Sequence, residues 1–562
     1  MLLHSHFPSS VVGWESRRRR AACLALDFSP DVRVAESKTA AESREAAPAT
    51  PATPLVDALL RRAADGSAPF HIPGHKRGAG ASPALLSVLG PVALRHDLTE
   101  LDGLDYLCSP VSSIAAAQAS AAAVFGAHRT FFLVNGTSGG IQAALLAVVR
   151  PGDAVVLARN CHVAALSACA LAGALPFFAH AQVDEHLGVA HCVTPGAAEA
   201  ALAEAASACA AAPDRPGRPR PRVAALLVVS PTYFGCVADV AGLARVAHAV
   251  GACLVIDEAH GAHFGLHAAL PRSSLACGAD AAVQSTHKTL GGLTQASMLH
   301  VSPSGRVQPS RVRAALATLH TTSPSYLLMA SLDAAAADAA RAAAGAVAVA
   351  TDIRRRLAAS RNARRVLSSP PASAIDFDIT RLTFSTAGLF SSGYAAASFF
   401  TSFCGITPEL AAPGGVGFVI GSGNAGRDAD ALVRALGDAC GDLPTPASSP
   451  HTPPSFPPAP APLVVALSPR AALMGRREAV ATSHAVGRVC AELLCPYPPG
   501  VPVAFPGARL TRDALNYLDA VRACGGAVTG GEDASGATVC VVAEEDAPPE
   551  GASLWDSRWA VI

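Results

Sequence analysis

The sequence predicts an α/β fold built around a mainly parallel sheet with helices on both faces. Three observations carry that prediction. Apolar runs of strand length, clearest at Val223–Val229, alternate with helical stretches, and repeated strand–helix alternation closes a parallel sheet. Polar residues follow the strand ends, at Asn135–Ser138, Arg159–His162, Asp257 and Ser285–Lys288, and so fall at one edge of the sheet, where open α/β sheets bind ligands. At 562 residues, 51% of them hydrophobic, the chain exceeds what one core usually serves, so two or three domains are expected.

Composition narrows the function classes. Lys+Arg and Asp+Glu balance at 43 each, which leaves no net field to draw nucleic acid or an anionic membrane, so neither partner is expected. Fifteen cysteines are scattered without a C-x-x-C pair, which is neither a zinc pattern nor a disulfide framework; no metal site is expected. No uncharged apolar run reaches bilayer length, since the Ala-rich stretch 334–350 contains Asp338 and Arg341, and a soluble protein is expected.

In chain order, residues 1–54 read as a segment outside the fold. Arg17 to Arg20, with Ser and few acids, resemble an organelle transit peptide, plastid or other; a disordered tail on a cytoplasmic protein is the alternative. A short helix near Pro54–Ala64 precedes the polar, basic loop Phe70–Gly78 and the acidic loop His96–Tyr106. Ile114–Gly126 is an Ala-rich helix ended by its glycine. Thr130–Val134 is a strand running into Asn135-Gly136-Thr137-Ser138-Gly139-Gly140 and the helix Ile141–Val149, the order in which a fold offers backbone N–H groups to a phosphate. Strands at Ala154–Leu157 and Leu175–Phe178 flank a helix from Val163 to Ala172, with His162 just past a strand end, where a flat imidazole can stack on a planar cofactor. Pro213–Arg222 is a surface insert. After Val223–Val229 and the helix Val240–Val250, the strand Ala252–Ile256 delivers Asp257, and Ala281–Val283 delivers Ser285, His287 and Lys288. A long Ala-rich helical stretch, Leu327 to about Leu357, connects to a smaller α/β unit with strands Arg381–Ser385 and Gly417–Ile420 and helices Gly393–Phe403 and Asp428–Cys440. The proline-rich stretch 443–462 reads as a linker. The last unit is expected to contain a helix over Arg470–Leu494.

Lys288 stands out by composition. Only Lys38, Lys76 and Lys288 remain where arginine has otherwise replaced lysine, and a Schiff base is something guanidinium cannot form. A lysine at one strand tip, a carboxylate at another, a phosphate turn and an imidazole are the parts that pyridoxal phosphate needs. Lys288 would hold the aldehyde and Asp257 would keep the ring nitrogen protonated. Gly136, Thr137, Ser138 and Ser285, with His287, would bind the phosphate, and His162 would lie against the ring.

The stretches His71-x-Pro73-Gly74-His75-Lys76-x-Gly78, Asp257-Glu258-Ala259-His260-Gly261, Ser285-Thr286-His287-Lys288 and Thr321-Thr322-Ser323-Pro324-Ser325-Tyr326 closely resemble the bacterial-type ornithine/lysine/arginine decarboxylases. The likeness extends to Tyr497-Pro498-Pro499-Gly500. It implies a fold type I, aspartate aminotransferase-like major domain over 55–330, a small α/β domain over 331–442 and a C-terminal α+β domain over 463–562. It also implies at least a homodimer with shared sites, in which Thr322 or Ser323 reaches the partner's cofactor phosphate and His260 lies beside Asp257. The implied reaction is decarboxylation of a basic amino acid, arginine first, then lysine or ornithine, giving CO2 and an amine for polyamine synthesis. Lys288 or a neighbouring histidine, His162 or His260, would return the proton. Family members carry an acid after the last Pro-Gly where this chain has Ala508; Glu492 or an acid of the 97–105 loop would then have to meet the substrate's distal cation. An aminotransferase, a carbon–sulfur lyase and a non-catalytic relative are the competing readings.

Overall fold

Seven strands form the central sheet: β1 Arg129–Leu133, β2 Ala154–Ala158, β3 Leu175–Ala179, β4 Val223–Val229, β5 Cys253–Asp257, β6 Ala281–Gln284 and β7 Ser297–Val301. Their order is β1-β7-β6-β5-β4-β2-β3. The run from β3 to β6 is parallel, and β7 is antiparallel to both of its neighbours. The computed structural model describes residues 52–552 except 215, 216, 218, 361, 368, 438–462, 498, 499 and 550. The expected tail up to residue 51 and the expected linker 443–462 lie outside the described residues.

Alternation along the strands sends side chains to two cores. From β4 and β5, Ala225, Leu227, Cys253 and Val255 enter one apolar cluster with the helices Gly136–Val148 and Val163–Ala172. Leu226, Val228, Leu254 and Ile256 enter the other, with the helices Pro195–Ala211 and Val240–Ala249. Both faces are therefore covered, and this accounts for β4 being buried along its whole length. A third cluster joins the helices Pro54–Ala63, Ser113–Phe125 and Tyr326–Ala337 beside β1.

A smaller antiparallel sheet follows, with β8 Arg381–Ser385, β9 Leu410–Ala412 and β10 Gly415–Val419 in the order β8-β10-β9. The C-terminal region contributes Leu463, Cys490, Phe505, Ala508 and Val541 to the same core as β4 and β5.

Three expectations need correction. The glycine-rich stretch is not a turn ahead of a helix: Gly136 to Gly140 are the helix's own first residues. The connecting helix is interrupted at Asp338, giving Tyr326–Ala337 and Ala339–Ala358. No helix spans Arg470–Leu494; Pro469–Met474 is a short helix, and Arg477–Ala481 is a strand paired with Thr538–Val542. That pairing partner lies some sixty positions away, beyond the reach of local periodicity. Within the acidic loop, Asp105 is buried and accepts N–H groups from Val111, Ser112 and Ile114.

Candidate active site

Parallel pairing sets the tips of β5 and β6 side by side, with Asp257 opposite Val283. Just past β6, the short helix Thr286–Thr289 carries Lys288. Its Nζ lies 3.0 Å from His260 Nε2 and 5.6 Å from the centre of the Tyr233 ring. The Tyr233 and His260 rings are 4.3 Å apart. Burial pushes the Lys288 amine below its ordinary pKa, against the pull of Asp257. Burial also holds the pKa of His260 well down, reinforced by the charges of Lys288 and Arg381.

Asp257 is buried and accepts one hydrogen bond among the described residues, from Ala259 N at 3.2 Å. Burial raises its pKa, and His162 and Lys288 oppose the rise. A cation set against it would draw it back down. His162 begins the helix Val163–Ala172, with Nδ1 accepting from Ala164 N at 3.2 Å. Burial lowers its pKa too, opposed by Asp257. Across from it, Gly500 has φ +88, and a Cβ there would stand 3.5 Å from His162 Cδ2, so the C-terminal loop approaches the ring closely. Arg159 fixes that loop by donating to the carbonyls of Pro502 and Val503 at 2.6 and 3.0 Å.

Three hydroxyls converge at the start of the helix Gly136–Val148. Thr137 Oγ1 lies 2.5 Å from Ser285 Oγ and 3.2 Å from Ser297 Oγ. Ser138 is exposed, and Asn135 gives the helix no side-chain cap, so the first-turn N–H groups of Thr137 and Ser138 face outward without an intrahelical partner. Gly136 contributes its φ of +66, not a free donor, since its N–H goes to Gln295 O. His287 is half-buried, with Nδ1 2.9 Å from Ala296 O. Thr322 is exposed, and no hydrogen bond joins it to the Lys288 group among the described residues.

The structure thus gathers Lys288, Asp257, His260 and His162, with Thr137 and Ser285 on the phosphate side. These residues fit pyridoxal phosphate: a buried, under-partnered carboxylate stands ready for a ring N–H, and an uncapped helix start faces the place for an anion. Sequence reasoning missed Tyr233 and Arg381, although Tyr233 follows a strand tip beside that of Asp257 and carried a positional signal. Two of the acids that could meet a substrate cation, Glu492 and Asp105 of the 97–105 loop, are not available. Glu492 is buried, accepting from Glu532 N at 2.7 Å and Cys540 N at 2.9 Å, and Asp105 is held as described above.

Residues 53–376 match the major domain, and 462–537 the C-terminal domain, of the Orn/Lys/Arg decarboxylases. The arginine decarboxylase of Halalkalibacterium halodurans is 36% identical over 508 residues, covering 88% of this chain and 98% of that protein. That of Bacillus subtilis is 36% identical over 500 residues, with the same shares. The structure of lysine decarboxylase A from Pseudomonas aeruginosa superposes with a TM-score of 0.70 at 24% identity, covering 87% of this chain and 80% of that one.

Proposed function

The chain belongs to the Orn/Lys/Arg decarboxylase family, and from that premise we propose that it decarboxylates arginine, with Lys288 as the amine that holds the cofactor. It is a pyridoxal-phosphate-dependent decarboxylase of basic amino acids. The aminotransferase and carbon–sulfur lyase readings are set aside by the family, as is a non-catalytic relative.

The observation that carries the assignment of Lys288 is its Nζ, 3.0 Å from His260 Nε2 and on the same strand-tip edge as the buried Asp257. Bound pyridoxal phosphate supplies an electron-accepting ring that spreads the charge left on the α-carbon when CO2 departs. Burial lowers the pKa of Lys288 and so raises its free-amine fraction at neutral pH, as a nucleophile requires. Asp257 pairs with the ring nitrogen and keeps its proton in place. Thr137, Ser138, Ser285 and the first-turn N–H groups hold the phosphate, with His287 beside them, and His162 covers one face of the ring. Lys288 returns a proton to the α-carbon.

Arginine is preferred over lysine and ornithine because two relatives named arginine decarboxylase align over 98% of their lengths. Glu492 and Asp105 are occupied, and among the remaining acids we assign the distal guanidinium to Glu409. It is exposed at the start of β9 and, besides Asp257, is the carboxylate whose charge reaches Lys288. The exposed Thr321–Ser323 stretch supports a second copy of the chain completing the phosphate site. The amine product suits polyamine synthesis.

The test is CO2 release from arginine, lysine and ornithine side by side, with arginine expected to have the highest kcat/KM. Lys288→Ala should abolish both turnover and the visible absorbance of bound cofactor; survival of that absorbance overturns the assignment. Glu409→Gln should raise KM for arginine by about tenfold or more, the worth of one charge-assisted contact.

A further inference from the structure

The turn after β5 holds a second histidine, His263, for which the chemistry above has no use. Its Nε2 stands 3.0 Å from Asp378 Oδ2, with both side chains almost wholly buried. Thr380 Oγ1 donates to Asp378 Oδ1 at 2.7 Å and lies 3.2 Å from His263 Nε2. Arg381, 1% exposed, brings Nε to 3.5 Å from the same Asp378 oxygen. Its Nη2 donates to the carbonyl oxygen of His260 at 2.9 Å. A segment more than a hundred positions downstream therefore grips the turn at His263 and again at His260, the residue that meets Lys288.

The grip is itself fixed. Asp378 N donates to Gly235 O at 2.8 Å, and Arg354 Nε donates to Ile379 O at 2.8 Å. Gly235 has φ +89, and a Cβ there would lie 2.9 Å from Arg381 Cβ, so the two segments are packed as closely as backbone allows. Arg381 Nε and Nη1 and Asp378 Oδ2 have no hydrogen-bond partner among the described residues, so the Asp378 contacts to His263 Nε2 and Arg381 Nε are ion-pair contacts only. Buried ion pairs add little net stability over an apolar filling of the same volume, and this one leaves two donors and one acceptor without hydrogen bonds, so stability alone is a poor account of it. Orientation is a better one.

We propose that Arg381 and Asp378 are positioning residues for the decarboxylation: they hold the His260 imidazole against Lys288 and set a fixed positive charge behind it. The proposal rests on the reading of Lys288 as the cofactor-holding amine. The groups whose charges act on Lys288 are Asp257, Arg381 and Glu409, and those acting on His260 are Lys288, Arg381, His162 and His263. Arg381 works with burial to lower both pKa values, whereas Asp257 and Glu409 work to raise that of Lys288.

The experiment uses the full chain purified with pyridoxal phosphate, as wild type, Arg381→Met, Arg381→Lys and Asp378→Asn. Borohydride trapping with peptide mass spectrometry tests by itself whether Lys288 carries the cofactor. The visible band is titrated with pH, kcat and KM are measured with arginine, and melting is followed for each variant. Arg381→Met should move the band's midpoint to higher pH by about half a unit or more, since a repelling charge has gone. Its kcat should fall about tenfold or more while KM changes less than about threefold. Arg381→Lys should keep the midpoint near wild type and recover most of kcat. Asp378→Asn retains the Arg381 charge, so it should lower kcat and leave the midpoint in place; it keeps the proposal testable if Arg381→Met does not fold. A folded Arg381→Met or Asp378→Asn with wild-type kcat, or a lower melting temperature as the sole change, overturns the proposal. Wild-type protein that traps no cofactor on Lys288 overturns the reading beneath it as well.

Discussion

Each residue at the centre takes its character from what surrounds it. Asp257 is a strand-tip carboxylate that accepts a single hydrogen bond among the described residues, which leaves it the capacity for the ring nitrogen that the proposed function assigns to it. Asp257→Asn should cut kcat about a hundredfold or more, as removal of a preorganised charge does, while Lys288 still takes up cofactor; absorbance and CO2 release read the two separately. Asp378 shows the opposite balance. Burial works to raise its pKa, but His263, Arg381 and Thr380 overcome it and hold the carboxyl at about 2 against its usual 3.8. A group depressed in the fold stabilises above its unfolded pKa and loses that contribution as pH falls through the folded one. Wild type should therefore lose about 2 kcal/mol relative to Asp378→Asn between pH 4 and pH 2, as followed by urea unfolding. Lysine scarcity made Lys288 legible in the sequence, but nothing local marked Arg381 among so many arginines.

At the scale of elements, the parallel strands were legible because each is a short apolar run buried on both faces. β7 was not, since an antiparallel strand late in the unit breaks the strand–helix alternation. The helix Gly136–Val148 lies close on the sheet because Gly140 has no side chain: a Cβ there would fall 2.4 Å from Val283 Cγ1 and 2.5 Å from Leu133 Cδ1. Gly140→Ala should destabilise by about 1–3 kcal/mol, the usual cost of overpacking, and should displace the helix start that faces the phosphate. A denaturant midpoint and cofactor affinity check the two effects. The stretch Arg477–Ala481 reads as helix by composition, but its partner strand decides otherwise.

Across the whole molecule, the C-terminal region shares a core with the central sheet instead of packing as an appendage. Phe505 is fully buried there, its ring 5.3 Å from that of Phe178. Phe505→Ala should cost about 3–5 kcal/mol, and the loss should weaken the hold of the Gly500 loop on His162, lowering cofactor affinity as well as stability. Ala508 sits at zero exposure in this same core. Among the described residues, no helix is long and apolar enough to cross a membrane.

The sequence by itself pointed to the chemistry: a rare lysine and an aspartate past successive strand ends, a glycine-rich stretch with hydroxyls and an imidazole imply one cofactor, because strand order and chain direction bring strand tips to one edge. The tertiary structure alone decided how those groups are held and which acids remain free. Whether Asp105 and Glu492 meet substrate or backbone N–H groups, and whether Arg381 and His263 reach the turn beside Lys288, depends on contacts between segments far apart in the chain, and no local pattern encodes such contacts.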